Sequence, residues 1–185
     1  IMSVGNKDAV EASLKKFKFM VSFDIFLTET SEFADIVLPD CGYLETTDSR
    51  SNFPFIFSLP AGLGEWCWPI RQEVVKPAGE RRLFADVLLE LGDRIGITPD
   101  MNASYNAWFD LQGENRLELD RKYTFAEISD LDLKDKFGPD KGLDYFKEHG
   151  LVKWDKTPEE VYWRAFTDVR VPLYWEWMPD IWEKT

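Results

Sequence analysis

The chain has 185 residues, of which 44% are hydrophobic and 15% aromatic, and its formal net charge is −12. This composition excludes a disordered chain, and the acidic balance argues against a nucleic-acid surface, since such surfaces cluster Lys and Arg. No apolar run approaches the roughly 18 residues of a membrane helix, so we expect no direct membrane insertion.

The beginning of the chain carries no targeting signal that can be recognised. It has no basic segment followed by a long apolar one, which a signal peptide requires, and position 1 is Ile1 rather than Met. We therefore expect a fragment of a longer chain. Whether the parent is cytoplasmic or exported is left open.

The first forty residues predict alternating helices and strands. Residues 8–16 predict a helix capped by Asp8, and residues 17–23 predict a strand rich in Phe. Residues 30–35 fit one helical turn, and residues 36–39 fit a second strand. This order is typical of a parallel sheet, so the predicted fold class is α/β, with a Rossmann-like partial parallel sheet flanked by helices.

The middle of the chain combines an irregular stretch with its clearest helix. Residues 46–79 are rich in Gly and Pro and predict an irregular excursion. Residues 77–97 predict a helix that stops at Gly96. Its apolar stripe has helical spacing and is expected to be core: Leu83, Phe84, Val87, Leu88, Leu91 and Ile95.

The rest of the chain is acidic and rich in Trp and Tyr. Thr124 and Glu127 have the spacing of a capping box. We expect two parts, an α/β unit over 1–97 and a mostly helical and irregular extension over 98–185 that packs on it. The short helices predicted in the extension are 104–111, 124–131, 142–149 and 158–164.

Cysteine and histidine are too few for an ordinary metal site. Cys41, Cys67 and His149 are the only ones, and no CxxC or HExxH motif is present. A Cys41–Cys67 disulfide is open from sequence, although two unpaired thiols are favoured. His149 precedes Gly150, where a charge at a helix C-terminus is favoured over catalysis.

The stretch FDIFLTETSEFADIVLPDCGYLE, residues 23–45, holds the candidate site. Asp24 ends a predicted strand, and ligands of such sheets bind outside the carboxyl ends of the strands. Its carboxylate could accept two hydrogen bonds, from ribose hydroxyls or from a guanine edge. Hydroxyls of Thr28 and Thr30, with nearby N–H groups, could hold a phosphate or a base edge. A plain structural turn is the alternative.

The same stretch resembles the signature of the third domain of the molybdopterin oxidoreductases, the dimethyl sulfoxide reductase family. That signature has a strand, an Asp, a T-x-T turn, an A-D-[IV]-[VI]-L-P strand and a downstream L-E. The later IRQEVVKPAGERRLFADVLLELGDRIGI is similar to the family's next segment, in the expected order. Together the two matches cover roughly residues 5–97.

The resemblance implies roles for particular residues. Asp24 would recognise the guanine or its ribose, with Thr28 assisting, and Thr30 would also be among the cofactor-binding residues. Glu45 and Asp48 would line the nucleotide end or simply order the loop. Two arginines, Arg50 and Arg71, could reach a phosphate, although ion pairs are favoured.

The resemblance also implies cofactors and partners. The family holds two molybdopterin guanine dinucleotides around one molybdenum or tungsten atom, and this chain would hold one of them in a Rossmann-like domain. The family's metal ligand and iron–sulfur cysteines lie upstream, so we assign no catalytic or metal residue here, and the isolated chain should be inactive. Expected partners are the remainder of the parent chain and an iron–sulfur electron-transfer subunit.

Two other functions stay open. The parent could be a non-redox relative, a hydratase or transhydroxylase. Alternatively, the chain could be a non-catalytic protein-interaction module on an α/β scaffold, because clustered Trp side chains often anchor partners. The anchors would then be Trp163, Trp175, Trp177 and Trp182.

Overall fold

A computed structural model of the chain describes residues 6–49, 59–60 and 64–158. In these ranges the chain forms a parallel and an antiparallel sheet, with helices beside them. The predicted α/β class is therefore confirmed. None of the helices in the described ranges has the length and apolar character needed to traverse a bilayer.

The first helix, α1 (Lys7–Leu14), begins one residue earlier than predicted. Its cap is Asn6, whose side-chain oxygen accepts a hydrogen bond from the Asp8 N–H at 3.0 Å. Asp8 was predicted as the cap and lies in the first turn instead. An Asn cap leaves Asp8 free to place its charge near the helix N-terminus, where it is favourable.

The parallel pair consists of β1 (Val21–Asp24) and β2 (Ile36–Pro39), joined through a 3-10 helix (Ser31–Phe33). Val21 pairs with Ile36, and the register runs on to Asp24 and Pro39. The predicted strand over 17–23 is wrong at its start, because its partner strand offers only four residues to pair with. Both strands end at the same sheet edge, which is where the candidate site lies.

The antiparallel sheet was not predicted. It consists of β3 (Leu59–Pro60), β4 (Glu65–Pro69) and β5 (Leu151–Asp155), with β4 in the centre. The expectation that 46–79 is irregular is therefore wrong at β3 and β4. The central strand pairs with a strand more than eighty residues away, so no local pattern marks the pairing.

The remaining helices follow the predictions with shifted boundaries. Gly96 ends α2 with a φ of 80°, a left-handed conformation that suits glycine, as the sequence predicted. Apart from residue 158, the helix predicted over 158–164 lies outside the described residues. The observed helices are α2 (Phe84–Ile95), α3 (Thr98–Phe109), α4 (Phe125–Phe137) and α5 (Leu143–His149).

Two apolar clusters form the core of the described part, and α4 contributes to both. The first includes Leu89 of α2, Phe109 of α3 and Ile128 of α4. The second packs Leu133 of α4 and Phe146 of α5 against Trp68, Leu143 and Val152. Leu89 and Trp68 thus join the two predicted parts, whose division at residue 97 stays a prediction.

The apolar stripe of α2 is mostly not core, contrary to the expectation. Ile95 is 70% exposed and Leu91 45% exposed, and Phe84 and Leu88 are exposed as well. Within α2, only Leu89 and Gly92 are buried. The helix touches the parallel pair through Phe84, whose ring meets that of Phe23 edge-on at 4.8 Å. Helical spacing identified an apolar face correctly, but it could not say what covers that face.

Candidate functional site

Asp24 lies at the carboxyl end of β1 and is half-buried. Its Oδ2 accepts a hydrogen bond from the Thr28 hydroxyl at 2.8 Å, and its Oδ1 accepts a long one, 3.4 Å, from the Phe26 N–H. The carboxylate therefore organises the turn that follows the strand. These contacts use part of its acceptor capacity, because an ionised carboxylate offers roughly four acceptor sites.

A second layer of hydrogen bonds holds Thr28. The Thr28 N–H donates to the Ser31 Oγ at 2.6 Å, and the Ser31 hydroxyl donates to the Thr28 carbonyl at 2.9 Å. The Ser31 N–H donates in turn to the Thr28 Oγ1 at 3.3 Å. Thr30 is the N-cap residue that precedes the 3-10 helix, and its side chain makes no capping bond. Ser31 is 2% exposed and was not predicted, although its place in TETSE one turn after Thr28 could have indicated it.

The segment around this turn is acidic. No Lys, Arg or His occurs between residues 19 and 49. The carboxylates in that range are Asp24, Glu29, Glu32, Asp35, Asp40, Glu45 and Asp48. The segment itself therefore brings no positive charge to the turn, although Arg82 pairs with Asp40 just after β2.

Glu45 is buried and makes the contacts of a residue that orders loops. Its Oε2 accepts from the Gly42 N–H at 2.8 Å, while its Oε1 pairs with Arg81 and accepts from the Ala78 N–H. The hydrogen bond from the Gly42 N–H is the main cause that lowers the pKa of Glu45, with Arg81 and Ala78 adding to it. Glu45 thus connects the loop after β2 to the loop before α2. A nucleotide contact by Glu45 stays a prediction.

Asp48 is engaged with Arg71 through backbone and side chain. Each backbone N–H donates to the other's carbonyl, at 2.9 and 3.0 Å, and the side chains form an ion pair at 3.5 Å. Arg71 also donates to the Thr46 Oγ1 at 2.9 Å. Ion pairing of Arg71, favoured over a phosphate contact, is therefore what the structure shows. Arg50 lies outside the described residues.

Asp40 follows β2 and was not predicted to have a role. Its Oδ1 accepts from the Phe84 N–H at 3.0 Å and from the Cys41 N–H at 2.8 Å. It therefore supplies an acceptor at the start of α2, whose own N-cap residue, Leu83, has no side-chain oxygen. No sequence spacing could have found this contact, because it joins residues 44 positions apart.

A cleft of about 740 Å³ lies between the loops around Glu45, helix α2 and helix α4. Cys41 and Thr46 also line it, but Asp24, Thr28, Thr30 and Asp48 do not. The structure therefore does not bring all the predicted site residues into one cavity. Glu45 faces the cleft, whereas Asp24 and Thr28 form a separate polar turn at the sheet edge.

Two ionisable side chains that line the cleft, Glu90 and Cys41, have shifted pKa values. Hydrogen bonds from Arg82 and then Arg94 lower the pKa of Glu90 to about 2. Burial, with the nearby charges of Glu45 and Asp40, raises the pKa of the Cys41 thiol. The raised pKa favours the protonated thiol at neutral pH.

The two cysteines are unpaired, and the histidine lies at a helix end. Cys41 and Cys67 are both free thiols. His149 is the last residue of α5 and stacks on the ring of Tyr145 at 4.1 Å. Across the part of the chain that the structure describes, no three Cys, His, Asp or Glu side chains group as metal ligands. Trp163, Trp175, Trp177 and Trp182 lie outside that part.

The site and fold together define an α/β protein with a polar turn at the carboxyl end of a parallel strand, the position at which such sheets bind ligands. The family model of the molybdopterin oxidoreductases matches residues 1–94. The chain belongs to this family. The match includes α1, the parallel pair and nearly all of α2.

Individual relatives support the assignment. The thiosulfate reductase molybdopterin-containing subunit PhsA of Salmonella typhimurium is 30% identical over 115 residues, 62% of this chain and 14% of the relative. A sulfite dehydrogenase subunit of Allochromatium vinosum is 40% identical over 91 residues, 48% of this chain and 9% of the relative. Dimethyl sulfoxide reductase DmsA of Escherichia coli is 26% identical over 165 residues, 84% of this chain and 19% of the relative.

The chain thus spans less than a fifth of the length of each of these three relatives. No solved structure matches it.

Proposed function

We propose that the chain is the cofactor-binding part of a molybdenum or tungsten oxidoreductase and contacts the guanosine end of one molybdopterin guanine dinucleotide. When bound, the cofactor supplies the metal at which electrons and an oxygen atom are exchanged. The residues of this chain bind and orient the nucleotide end. An iron–sulfur cluster would lie elsewhere in the parent.

The placement of Asp24 carries the proposal. It ends a parallel strand at the sheet edge, within the segment that the family model matches. Its carboxylate accepts hydrogen bonds from Thr28 and Phe26 and keeps roughly two of its four acceptor sites. A guanine edge offers two adjacent donors, the ring N–H and the amino group, and so fits the remaining capacity. The donor chemistry of the nucleotide therefore suits this residue.

The exposed apolar surface supports a larger parent chain. Phe17 and Phe19 before β1 are 66% and 61% exposed, and much of the α2 stripe is exposed too. A soluble protein rarely leaves so many large apolar side chains in water. We propose that the remainder of the parent chain packs here. An iron–sulfur subunit is a further proposed partner, since the relatives are named as subunits of larger enzymes.

The test is a titration of the 185-residue chain with GMP, followed by NMR. The unmodified chain should show shifts at Asp24, Thr28 and Ser31 that AMP does not produce. Asp24→Asn should weaken GMP binding roughly 10- to 100-fold, because it removes the charge and points an amide donor at the guanine donors.

Glu29→Gln is the matched control, since it removes the same charge from an exposed position of the same turn. It should bind GMP like the unmodified chain. If both variants lost affinity for GMP equally, the loss would reflect the overall charge of the turn and not a contact by Asp24. An unmodified chain that stays silent at millimolar GMP would contradict the proposal.

A further inference from the structure

Helix α3 carries an open apolar groove of about 550 Å³ along its surface, which we call the α3 groove. Its apolar residues follow one another at intervals of four, four and three positions, so they share one face of the helix. Trp108 is 76% exposed, although Trp is a residue that usually contacts other groups. The residues of this stripe are Ile97, Met101, Tyr105 and Trp108.

The α3 groove is held in shape by contacts behind it. Asn102 and Asn106 are buried, and their side-chain amides donate to backbone carbonyls of the segment before α4. Gly92 of α2 lies so close to Met101 that a Cβ at position 92 would overlap the Met101 sulfur. Because the helix is already fixed, a ligand of this groove would not have to order it, which lowers the entropic cost of binding.

The groove offers few hydrogen bonds to a ligand. The Ser104 hydroxyl donates to the Asp100 carbonyl at 2.8 Å, so its single hydrogen is used within α3. An extended peptide would therefore bury backbone N–H and C=O groups without partners, which costs free energy. A helix satisfies its own backbone and can present an apolar stripe. The 12 residues of α3 span about 18 Å, which matches roughly three turns of such a helix.

The charge beside the groove favours a basic ligand. Asp100 lines the α3 groove and forms no ion pair with any residue that the structure describes. No Lys or Arg is among the described residues that line it, and the cation beside Met101, Lys122, pairs with Asp93 at 3.0 Å. A second copy of this chain would bring the same acidic surface, with a formal net charge of −12, and would be repelled.

We infer that the α3 groove is a docking surface for an amphipathic helix of a second protein. The apolar stripe of that helix would pack on Met101 and Trp108, and a Lys or Arg beside the stripe would face Asp100. The groove lies after residue 94, where the match to the family model ends, so it belongs to the part of the chain beyond that match. The inference does not depend on the nucleotide contact proposed for Asp24.

The experiment titrates the 185-residue chain, labelled with 5-fluorotryptophan, with a designed helical peptide. The peptide has about 14 residues and carries a stripe of Leu flanked by Lys. Fluorine NMR follows Trp108, whose resonance is the one that Trp108→Phe removes. This resonance should move as the peptide binds. A scrambled peptide of the same composition and a peptide with Glu in place of Lys should each bind at least tenfold more weakly.

Variants of the chain locate the contact, with affinities measured by calorimetry. Trp108→Ala should weaken binding of the Leu–Lys peptide at least tenfold, since buried aromatic anchors carry much of the binding energy. Asp100→Asn should weaken it roughly two- to fivefold, and less at high salt. Gly92→Ala should weaken it by pushing Met101 into the groove. Phe17→Ala, at an exposed aromatic residue outside the groove, is the control and should bind like the unmodified chain.

Equal binding of the scrambled peptide would show a general attraction to an acidic chain and would overturn the inference. An unmoved Trp108 resonance at millimolar peptide would do the same. Loss of affinity in Phe17→Ala equal to that in Trp108→Ala would place the contact elsewhere and would also overturn it.

Other occupants of the α3 groove would give different results. The Trp108 resonance should shift between H₂O and D₂O in the free chain and in the full-length parent, because the indole is open to solvent. No such shift would show that another segment, such as residues 159–185 or the rest of the parent, covers the groove. A dimer in sedimentation that Trp108→Ala abolishes would show a second copy there. Either result would overturn docking of a second protein, while leaving the nucleotide contact of Asp24 untouched.

Discussion

The side-chain nitrogen of Asn102 lies 2.8 Å from the carbonyl oxygen of Arg121. The same Nδ2 is 2.8 Å from the Glu118 carbonyl and 2.9 Å from the Leu119 carbonyl, and Asn102 is 1% exposed. One turn later in α3, Asn106 exchanges two hydrogen bonds with the backbone of Leu117. Two buried amides thus fix the connection between α3 and α4, which forms one wall of the first core cluster.

Substitution of Asn102 should reveal how strongly this connection depends on a donor. Asn102→Ala leaves three carbonyls without their partner and should lower the free energy of unfolding by about 2–3 kcal/mol. Asn102→Asp should cost more, roughly 3–5 kcal/mol at pH 7, since it places a buried negative oxygen among three acceptors. Urea unfolding measures both.

The control is Ser104→Ala on the exposed side of the same helix, which should change the stability by less than about 0.5 kcal/mol. Below pH 4 the Asp variant should approach the Ala variant, because a protonated carboxyl can donate one hydrogen bond. An Asp variant as stable as the natural chain at pH 7 would contradict the assigned amide orientation.

Glu45 should make the stability of the fold depend on pH. Folding lowers its pKa, chiefly through the Gly42 N–H, so the ionised form stabilises the folded state above the ordinary Glu pKa. That contribution is lost as the pH falls from the ordinary value through the lowered one. Glu45→Gln should therefore destabilise the chain at pH 7, and the difference should shrink progressively in acid.

Urea midpoints at pH 7, 5, 4 and 3 check this expectation. Glu118→Gln, at an exposed position, is the control and should show little difference at any of these pH values. The stability difference between Glu45→Gln and the natural chain could instead stay constant down to pH 3. That result would show that the lost contacts are not electrostatic.

The sequence predicted those parts of the fold whose signals are local. The alternation around β1 and β2 indicated a parallel pair, and the register confirms it. Thr124 and Glu127 form the expected capping box, with hydrogen bonds of 2.8 and 3.2 Å in the two directions. The capping box joins residues three positions apart, and β1 and β2 follow each other along the chain, so short stretches of sequence carry both signals.

The parts that the sequence did not predict depend on distant partners. Trp68 pairs with Val152 in the antiparallel sheet, and Asp40 accepts a hydrogen bond at the start of α2. Neither contact produces a periodic pattern in the sequence. The apolar stripe of α2 shows a different limit of sequence patterns. Its spacing indicated an apolar face, yet Leu91 and Ile95 are exposed in the described part of the chain. Periodicity shows that a helix has an apolar face, but not which surface packs on that face.

The sequence indicated which polar residues share the turn after β1, but not how they bond to one another. Asp24 and Thr28 lie together as the motif suggested, and the Thr28 hydroxyl donates to the Asp24 carboxylate. Ser31 was missed because a Ser after a T-x-T turn is common at helix starts. Glu45 lines the separate cleft, and its carboxylate accepts hydrogen bonds from the N–H groups of Gly42 and Ala78.

The most direct test of the central claim is the guanine nucleotide content of the purified full-length parent enzyme. Acid hydrolysis releases GMP from the bound dinucleotide, and the ratio of GMP to protein reports occupancy. We expect a clearly lower ratio for Asp24→Asn than for the natural enzyme and for Glu29→Gln. Equal ratios in all three proteins would contradict a guanosine contact by Asp24.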